Sequence, residues 1–328
     1  MKAKSFNLKD FLINYGVILV MVILVIFTSI KSPNFLSSSN VLNLLLNMSS
    51  RLVIALGIAG CVITAGCDLS AGRMIGLGGC IAGVLLQRED YAGRFFEGGK
   101  PMNLLLALVI VMVITAAFGA ITGFFIAFLD VPPFISTLAM MEIVYGLNLI
   151  FTDATPLGGY VEGYTNLATQ GFLGVRWIIW IAIIIGVVSW FIFNMTRHGK
   201  YMYAIGANPQ AAEVAGVPVR TTLVLIYAKA AAFYGLAGFM LGAKSGGASV
   251  NLGLGYEMEA IAACTIGGVS VTGGRGKVSS AIIGVAVFEL LKAALQFLGV
   301  NANAQWIALG IIIYIAISLD IRKYVAKK

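Results

Sequence analysis

Residues 102–129 read MNLLLALVIVMVITAAFGAITGFFIAFL, a stretch without one charged side chain. A helix needs roughly 20 apolar residues to cross the hydrocarbon core of a bilayer, so this stretch is long enough to span one. Outward from it, comparable runs occupy 11–30, 41–66, 73–87, 134–150, 176–194, 219–241, 257–270, 277–297 and 303–320. The reading is an all-α membrane protein, a polytopic bundle of about ten transmembrane helices, with short or broken helices beside the path it encloses. Bulk composition agrees, since 59% of the 328 residues are hydrophobic, 11% are charged and the mean hydropathy is +0.95. Soluble domains carry roughly 25% charged residues, so lipid is the solvent of this chain. One transmembrane domain, 1–328, accounts for the whole length.

The net charge of +8 does not indicate nucleic acid, because the basic residues form no patch and lie at the ends of apolar runs. Cationic loops are retained on the cytoplasmic side of a membrane. The 11–30 run follows Lys2, Lys4 and Lys9 and lacks a small-x-small cleavage site, so it reads as an uncleaved first span with a cytoplasmic N-terminus. Alternation then places Lys2, Lys4, Lys9, Arg73, Arg197, Lys200, Arg220, Arg275, Lys277, Arg322, Lys323, Lys327 and Lys328 inside. Only Lys31, Arg88, Arg94, Lys100, Arg176 and Lys244 fall outside, and the asymmetry puts both termini in the cytoplasm. Cys61, Cys67, Cys80 and Cys264 form no CxxC pair and have no histidine beside them, so they read as packing residues without metal. His198, the one histidine, reads as a solvated loop residue.

Glycine recurs at small-x-x-x-small spacing at Gly72/Gly76, Gly79/Gly83, Gly119/Gly123 and Gly238/Gly242, which lets helix backbones approach closely in lipid. Two segments resemble each other, GCDLSAGR at 66–73 and GVSVTGGR at 268–275. Short, Gly-interrupted segments in corresponding halves point to broken helices near a transport path. Asp68, Ser70, Thr272 and Gly274 are therefore candidates for that path or its inner gate, with helix capping as the alternative role of Asp68. Alternation puts both turns on one side, which leaves the symmetry of the repeat open.

A transporter hydrolyses nucleotide, borrows a partner that does, or uses an ion gradient. Gly99-Lys100, Gly199-Lys200 and Gly276-Lys277 lack the remainder of a P-loop. Among residues within the spans, Glu289 and Lys292 stand three apart and are expected to pair along one helix. Glu142 and Lys229 fall at similar depth on different spans and are candidates for the path. The long inner segment, 195–218, contains AIGANPQAAEVAGVPV at 204–219. Asn208 suits an N-cap, Pro209 the first helical position and Gly216 a left-handed stop, which predicts a short helix with small side chains at Ala211, Ala212 and Ala215. An exposed helix of small residues suits close approach by a partner, so Gly206, Asn208, Pro209, Ala211, Ala212, Glu213 and Gly216 are assigned to coupling with a cytoplasmic partner, an ordinary capped loop helix being the alternative.

The ANPQAAEVAG loop, the DLSAG turn at 68–72, VPPFISTLAMM at 131–141 and GYEMEAIAACTIGGVSVTGGRGKV at 255–278 resemble the monosaccharide branch of bacterial ATP-binding-cassette (ABC) importer permeases. They stand in the family's order and cover almost the whole chain. Ala71, the EAIAAC stretch and the SLDIRKYVAKK tail look most similar to the galactose/methyl-galactoside type. The resemblance implies a bacterial inner-membrane permease, not itself an enzyme, importing galactose, methyl-galactoside or glucose. It further implies a second permease copy, cytoplasmic sugar-type ATPases that bind the ATP and Mg, and a periplasmic or lipid-anchored sugar-binding protein. Glu142, Lys229 and Glu289 depart from the family, where apolar or small residues are usual. The rival reading is an ion-coupled secondary transporter of a small polar solute; paired catalytic groups at membrane depth, as an intramembrane enzyme requires, are absent.

Overall fold

The computed structural model describes residues 8–96 and 98–325; Lys2, Lys4, Lys327 and Lys328 lie outside them. Among the described residues, six helices are long and apolar enough to cross a membrane. They are α2 (Ser38–Ile63), α4 (Leu104–Phe128), α5 (Pro133–Thr152), α7 (Trp177–Met195), α10 (Val219–Ser245) and α12 (Val278–Phe297). Four further helices match the other expected spans: α1 (Leu8–Lys31), α3 (Ala71–Leu85), α11 (Tyr256–Gly267) and α13 (Ala302–Val325). Among the described residues the bundle is all-α apart from one tiny hairpin, β1 (Gly171–Phe172) with β2 (Val175–Arg176). That hairpin and α6 (Glu162–Thr169) occupy the long polar segment before α7. The segment after α7 holds α8 (Arg197–Ala207) and α9 (Pro209–Val214), so Arg197, Gly199 and Lys200 are helical where a loop was expected.

Local chemistry sets the ends. Ser37 caps α2 by accepting from the Asn40 amide, and Asn103 caps α4 by accepting from Leu105 and Leu106. Pro133 opens α5, where its missing N–H costs nothing. Helix α10 is the axis of the bundle and packs against α2, α3 and α4. Its approach to α4 requires glycine: a Cβ on Gly119 would stand 2.4 Å from the Tyr227 carbonyl oxygen, and one on Gly123 2.7 Å from the Val224 Cα. The small-residue spacing thus marks a true helix contact.

Two spans are broken. After α2 the chain runs without helix through 64–70, and α3 supplies only 15 residues, about 22 Å at 1.5 Å per residue. After α10 it runs irregularly through 246–255, and α11 supplies 12 residues, about 18 Å. Irregular segments and half-helices combine to cross the layer. The two breaks enter from opposite ends. Beyond α2, the Ile63 carbonyl accepts the Gly274 amide at 2.8 Å, at the α8–α9 end. Beyond α10, Ala248 and Leu157 exchange two backbone hydrogen bonds of 2.8 Å, at the α6 end. Each half therefore has the same order of long helix, break, half-helix and two further helices, one half upside down relative to the other.

This arrangement resolves the open symmetry of the repeat and corrects two expectations. The resembling turns 66–73 and 268–275 are not structural counterparts: the first lies beside Tyr227 and Tyr234 in the middle of α10, while the second follows α11 at the α8–α9 end. The counterpart of the first break is 246–255. Arg73 belongs to the first turn of α3 at mid-depth, so the basic count becomes twelve against six without changing its sense. His198 is half-buried in α8, where burial and the nearby Lys229 lower its pKa to about 4.

Candidate functional site

The starts of α3 and α11 meet in the interior. A Cβ on Gly72 would fall 2.2 Å from the Glu257 Oε2 and 2.9 Å from the Gly253 carbonyl oxygen, so only glycine admits this crossing. Glu257 is 6% exposed and places its carboxylate against the first turn of α3, with Oε2 lacking a hydrogen-bond partner among the described residues. Asp68 is 1% exposed; its Oδ1 accepts from the Ser70 amide at 3.0 Å and from the Ser70 hydroxyl at 2.6 Å. Ser70 is the N-cap residue of α3, so Asp68 fixes the turn that starts the half-helix.

Thr272 and Gly274 sit apart from Asp68. The Thr272 hydroxyl is exposed and lies 2.9 Å from that of Ser270. Gly274 and Gly206 close the α8–α9 end: a Cβ on Gly206 would lie 1.8 Å from the Ile63 carbonyl oxygen and 2.6 Å from the Gly274 amide nitrogen. The Tyr203 hydroxyl donates to the Gly276 carbonyl at 2.8 Å. Helix α8 is thereby keyed to the end of α2 and to the α11–α12 connection.

Helix α9 is built as expected. Asn208 caps it by accepting from the Ala211 amide at 2.9 Å, Pro209 is its first residue, and Gly216 leaves it with φ +81°. Its faces differ from expectation. Ala212 is buried against its own chain, while Ala211, Glu213, Ala215 and Gly216 are exposed and Val214 is 90% exposed. Ala212 holds the helix down, and Val214 stands out from it.

The charged residues within the spans are arranged differently from the expected pairs. Glu289 and Lys292 do not pair with each other. The Arg51 Nε lies 2.9 Å from the Glu259 Oε2 and 2.8 Å from the Glu289 Oε1, and the Lys292 Nζ lies 2.5 Å from the Glu259 Oε1. Two cations and two anions thus tie α2, α11 and α12 together with no net charge, which offsets the cost of burying each ion. Glu142 and Lys229 form no ion pair. The Lys229 ammonium is buried without a hydrogen-bond partner among the described residues and lies 4.6 Å from the centre of the Phe193 ring. Glu142 is exposed on α5, which packs on α3 and α4.

Arg51, Glu257 and Glu259 escaped the sequence reading. Arg51 stands alone in an apolar run and its partner Glu259 is 208 positions away; an isolated charge within a span was the available signal.

Residues 40–317 match the family described as branched-chain amino acid transport system / permease component. The chain belongs to this permease family. Its broken spans and apolar helices are those of a multi-pass inner-membrane permease. The permease is 42% identical over 322 residues to the galactose/methyl galactoside import permease protein MglC of Escherichia coli (strain K12), covering 96% of this chain and 95% of that one. It is 40% identical over 335 residues to the protein of the same name from Haemophilus influenzae, covering 100% and 98%. It is 31% identical over 319 residues to the ribose import permease protein RbsC of E. coli (strain K12), covering 96% of each. No solved structure matches the permease.

Proposed function

We propose that this chain is the permease subunit of an ABC importer that takes up a monosaccharide of the galactose or methyl-galactoside type, glucose included. The observation that carries the reading is near-full-length identity of 40–42% with two galactose/methyl galactoside permeases, against 31% with a ribose permease. The permease is no enzyme; ATP and Mg are bound by separate ATPase subunits, and a periplasmic or lipid-anchored sugar-binding protein delivers the solute. Two copies of the permease enclose the path. Twelve basic residues against six support cytoplasmic termini and a cytoplasmic side for α8 and α9.

Coupling occurs at α9. An apolar side chain 90% exposed on a capped helix, Val214, with Ala211 and Ala215 beside it, suits the groove of a partner ATPase. Displacement of α9 passes through α8 and Gly206 to Ile63 and Gly274, and so to both broken spans. Asp68 and Ser70 shape the first break, and Thr272 and Gly274 lie where an inner gate would close. The solute assignment is tested by uptake of labelled galactose, glucose and ribose into vesicles containing the complete transporter. Galactose or glucose should be taken up well ahead of ribose; a preference for ribose overturns it.

A further inference from the structure

We infer that one face of the permease, formed by Glu142, Arg73, Tyr145 and Asn251, lines the aqueous passage and contacts a neutral, hydroxyl-rich solute. This deepens the importer reading and rests on it. Three elements bring the residues together. Glu142 is the tenth of the 20 residues of α5, at its centre, and is exposed. Tyr145 stands one turn later on the same helix face. Arg73, in the first turn of α3, stacks its guanidinium 3.8 Å from the centre of the Tyr145 ring. The Arg73 Nη1 donates to the Asn251 Oδ1 at 2.9 Å and to the Val250 carbonyl at 3.3 Å, which ties α3 to the second break. Asn251 is itself exposed.

Exposed carboxylate and amide groups at mid-depth cannot face hydrocarbon, which neither hydrates a charge nor satisfies an amide. Helix α7 supplies the contrast: on its outer flank Ile183, Ile184, Val187, Val188, Trp190 and Phe191 are exposed and the helix carries no charge. That flank suits lipid, whereas the Glu142 face requires water. Its occupants are the solute and, across the passage, a second copy of this chain.

The chemistry of the face selects the solute. One cation and one anion leave no net charge, so an anionic or cationic solute meets one opposing charge, whereas hydroxyl groups can donate to Glu142 and accept from Arg73 and Asn251. Of the path residues expected from sequence, Glu142 alone belongs here. Asp68 and Ser70 lie buried behind the face, and the Lys229 ammonium is enclosed against Phe193.

The test uses the complete transporter with the four native cysteines replaced. Glu142→Cys and Asn251→Cys should react with a membrane-impermeant cationic thiosulfonate, and Ile184→Cys only with a lipid-soluble maleimide. Arg73→Gln should lower the sugar moved per ATP hydrolysed, measured on assembled transporter. If the cysteine-free parent takes up sugar but positions 142 and 251 are inert to the impermeant reagent, or all three positions react alike, the inference is overturned and the importer reading stands. An unchanged sugar-to-ATP ratio in Arg73→Gln overturns the solute contact. If the labelling pattern holds but the parent moves no sugar, the solute reading fails and the passage stands.

Discussion

The two breaks share a backbone plan and differ in what they are attached to. The first, 64–70, leaves α2 where Ile63 meets Gly206 and Gly274, and so belongs to the α8–α9 end. The second, 246–255, leaves α10 where Ala248 is hydrogen-bonded to Leu157, and so belongs to the end with α6 and the hairpin. Their chemistry differs as well. The first is sealed, with Asp68 satisfied locally by Ser70, while the second holds exposed Asn251 and presents Glu257 to α3. Inverted halves thus tie each end of the bundle to one central crossing.

The most damaging way to break this comparison is at the crossing. Gly72→Val puts side-chain atoms where the Glu257 Oε2 and the Gly253 carbonyl stand. Backbone on one side leaves little room to relax, so the yield of monodisperse protein in detergent should collapse; a normal yield would mean that the half-helices do not meet as described. Next in size is the tether of the first break alone. Gly206→Val collides with backbone, the Ile63 carbonyl and the Gly274 amide, and should lower ATP-driven uptake per assembled transporter at least tenfold, a loss of about 1.4 kcal/mol or more in coupling. Uptake at the parental rate would detach α8 from the mechanism.

A smaller effect separates charge from shape in the sealed break. Asp68→Ala leaves the Ser70 amide without its acceptor and should cost about 1–3 kcal/mol of stability, read as a lowered thermal midpoint. Asp68→Asn keeps an acceptor oxygen and should lie near the parent. Equal loss in both variants would assign the role to charge.

The smallest effect is a pH dependence at the α8 end. His198 has a pKa of about 4 in the fold against an ordinary value of 6.5, because burial and then Lys229 disfavour the imidazolium. The unfolded chain therefore takes up a proton first as the pH falls, and stability present above pH 6.5 is lost progressively between 6.5 and 4. His198→Asn should flatten the thermal midpoint across that window, and an unchanged slope would leave His198 without a part in it.

The helices were legible in the sequence because each continuous apolar run is bounded by caps, prolines or polar residues. The α9 turn was legible for the same reason, through Asn208, Pro209 and Gly216. The crossing was not. Segment 66–73 was singled out as a break in a helix but 246–255 was not, and only tertiary packing brings both into the layer. The sequence resemblance between 66–73 and 268–275 misled because both are Gly-rich turns, one inside the bundle and one at its end. The burial of Ala212 was not legible because a six-residue helix has too few positions to reveal which face is buried. The charge network escaped because its partners lie on helices distant in sequence, so spacing along one helix favoured Glu289 with Lys292.

The central claim is that a partner ATPase drives this permease through α9. The most direct measurement is galactose uptake in proteoliposomes containing the permease, its ATPase and the sugar-binding protein, with ATP enclosed and a protonophore added. Uptake should require ATP and the ATPase, persist with the protonophore, and be lost in Val214→Arg, which puts a charge on the exposed apolar tip of α9. Uptake that proceeds without the ATPase and is abolished by the protonophore would contradict the account.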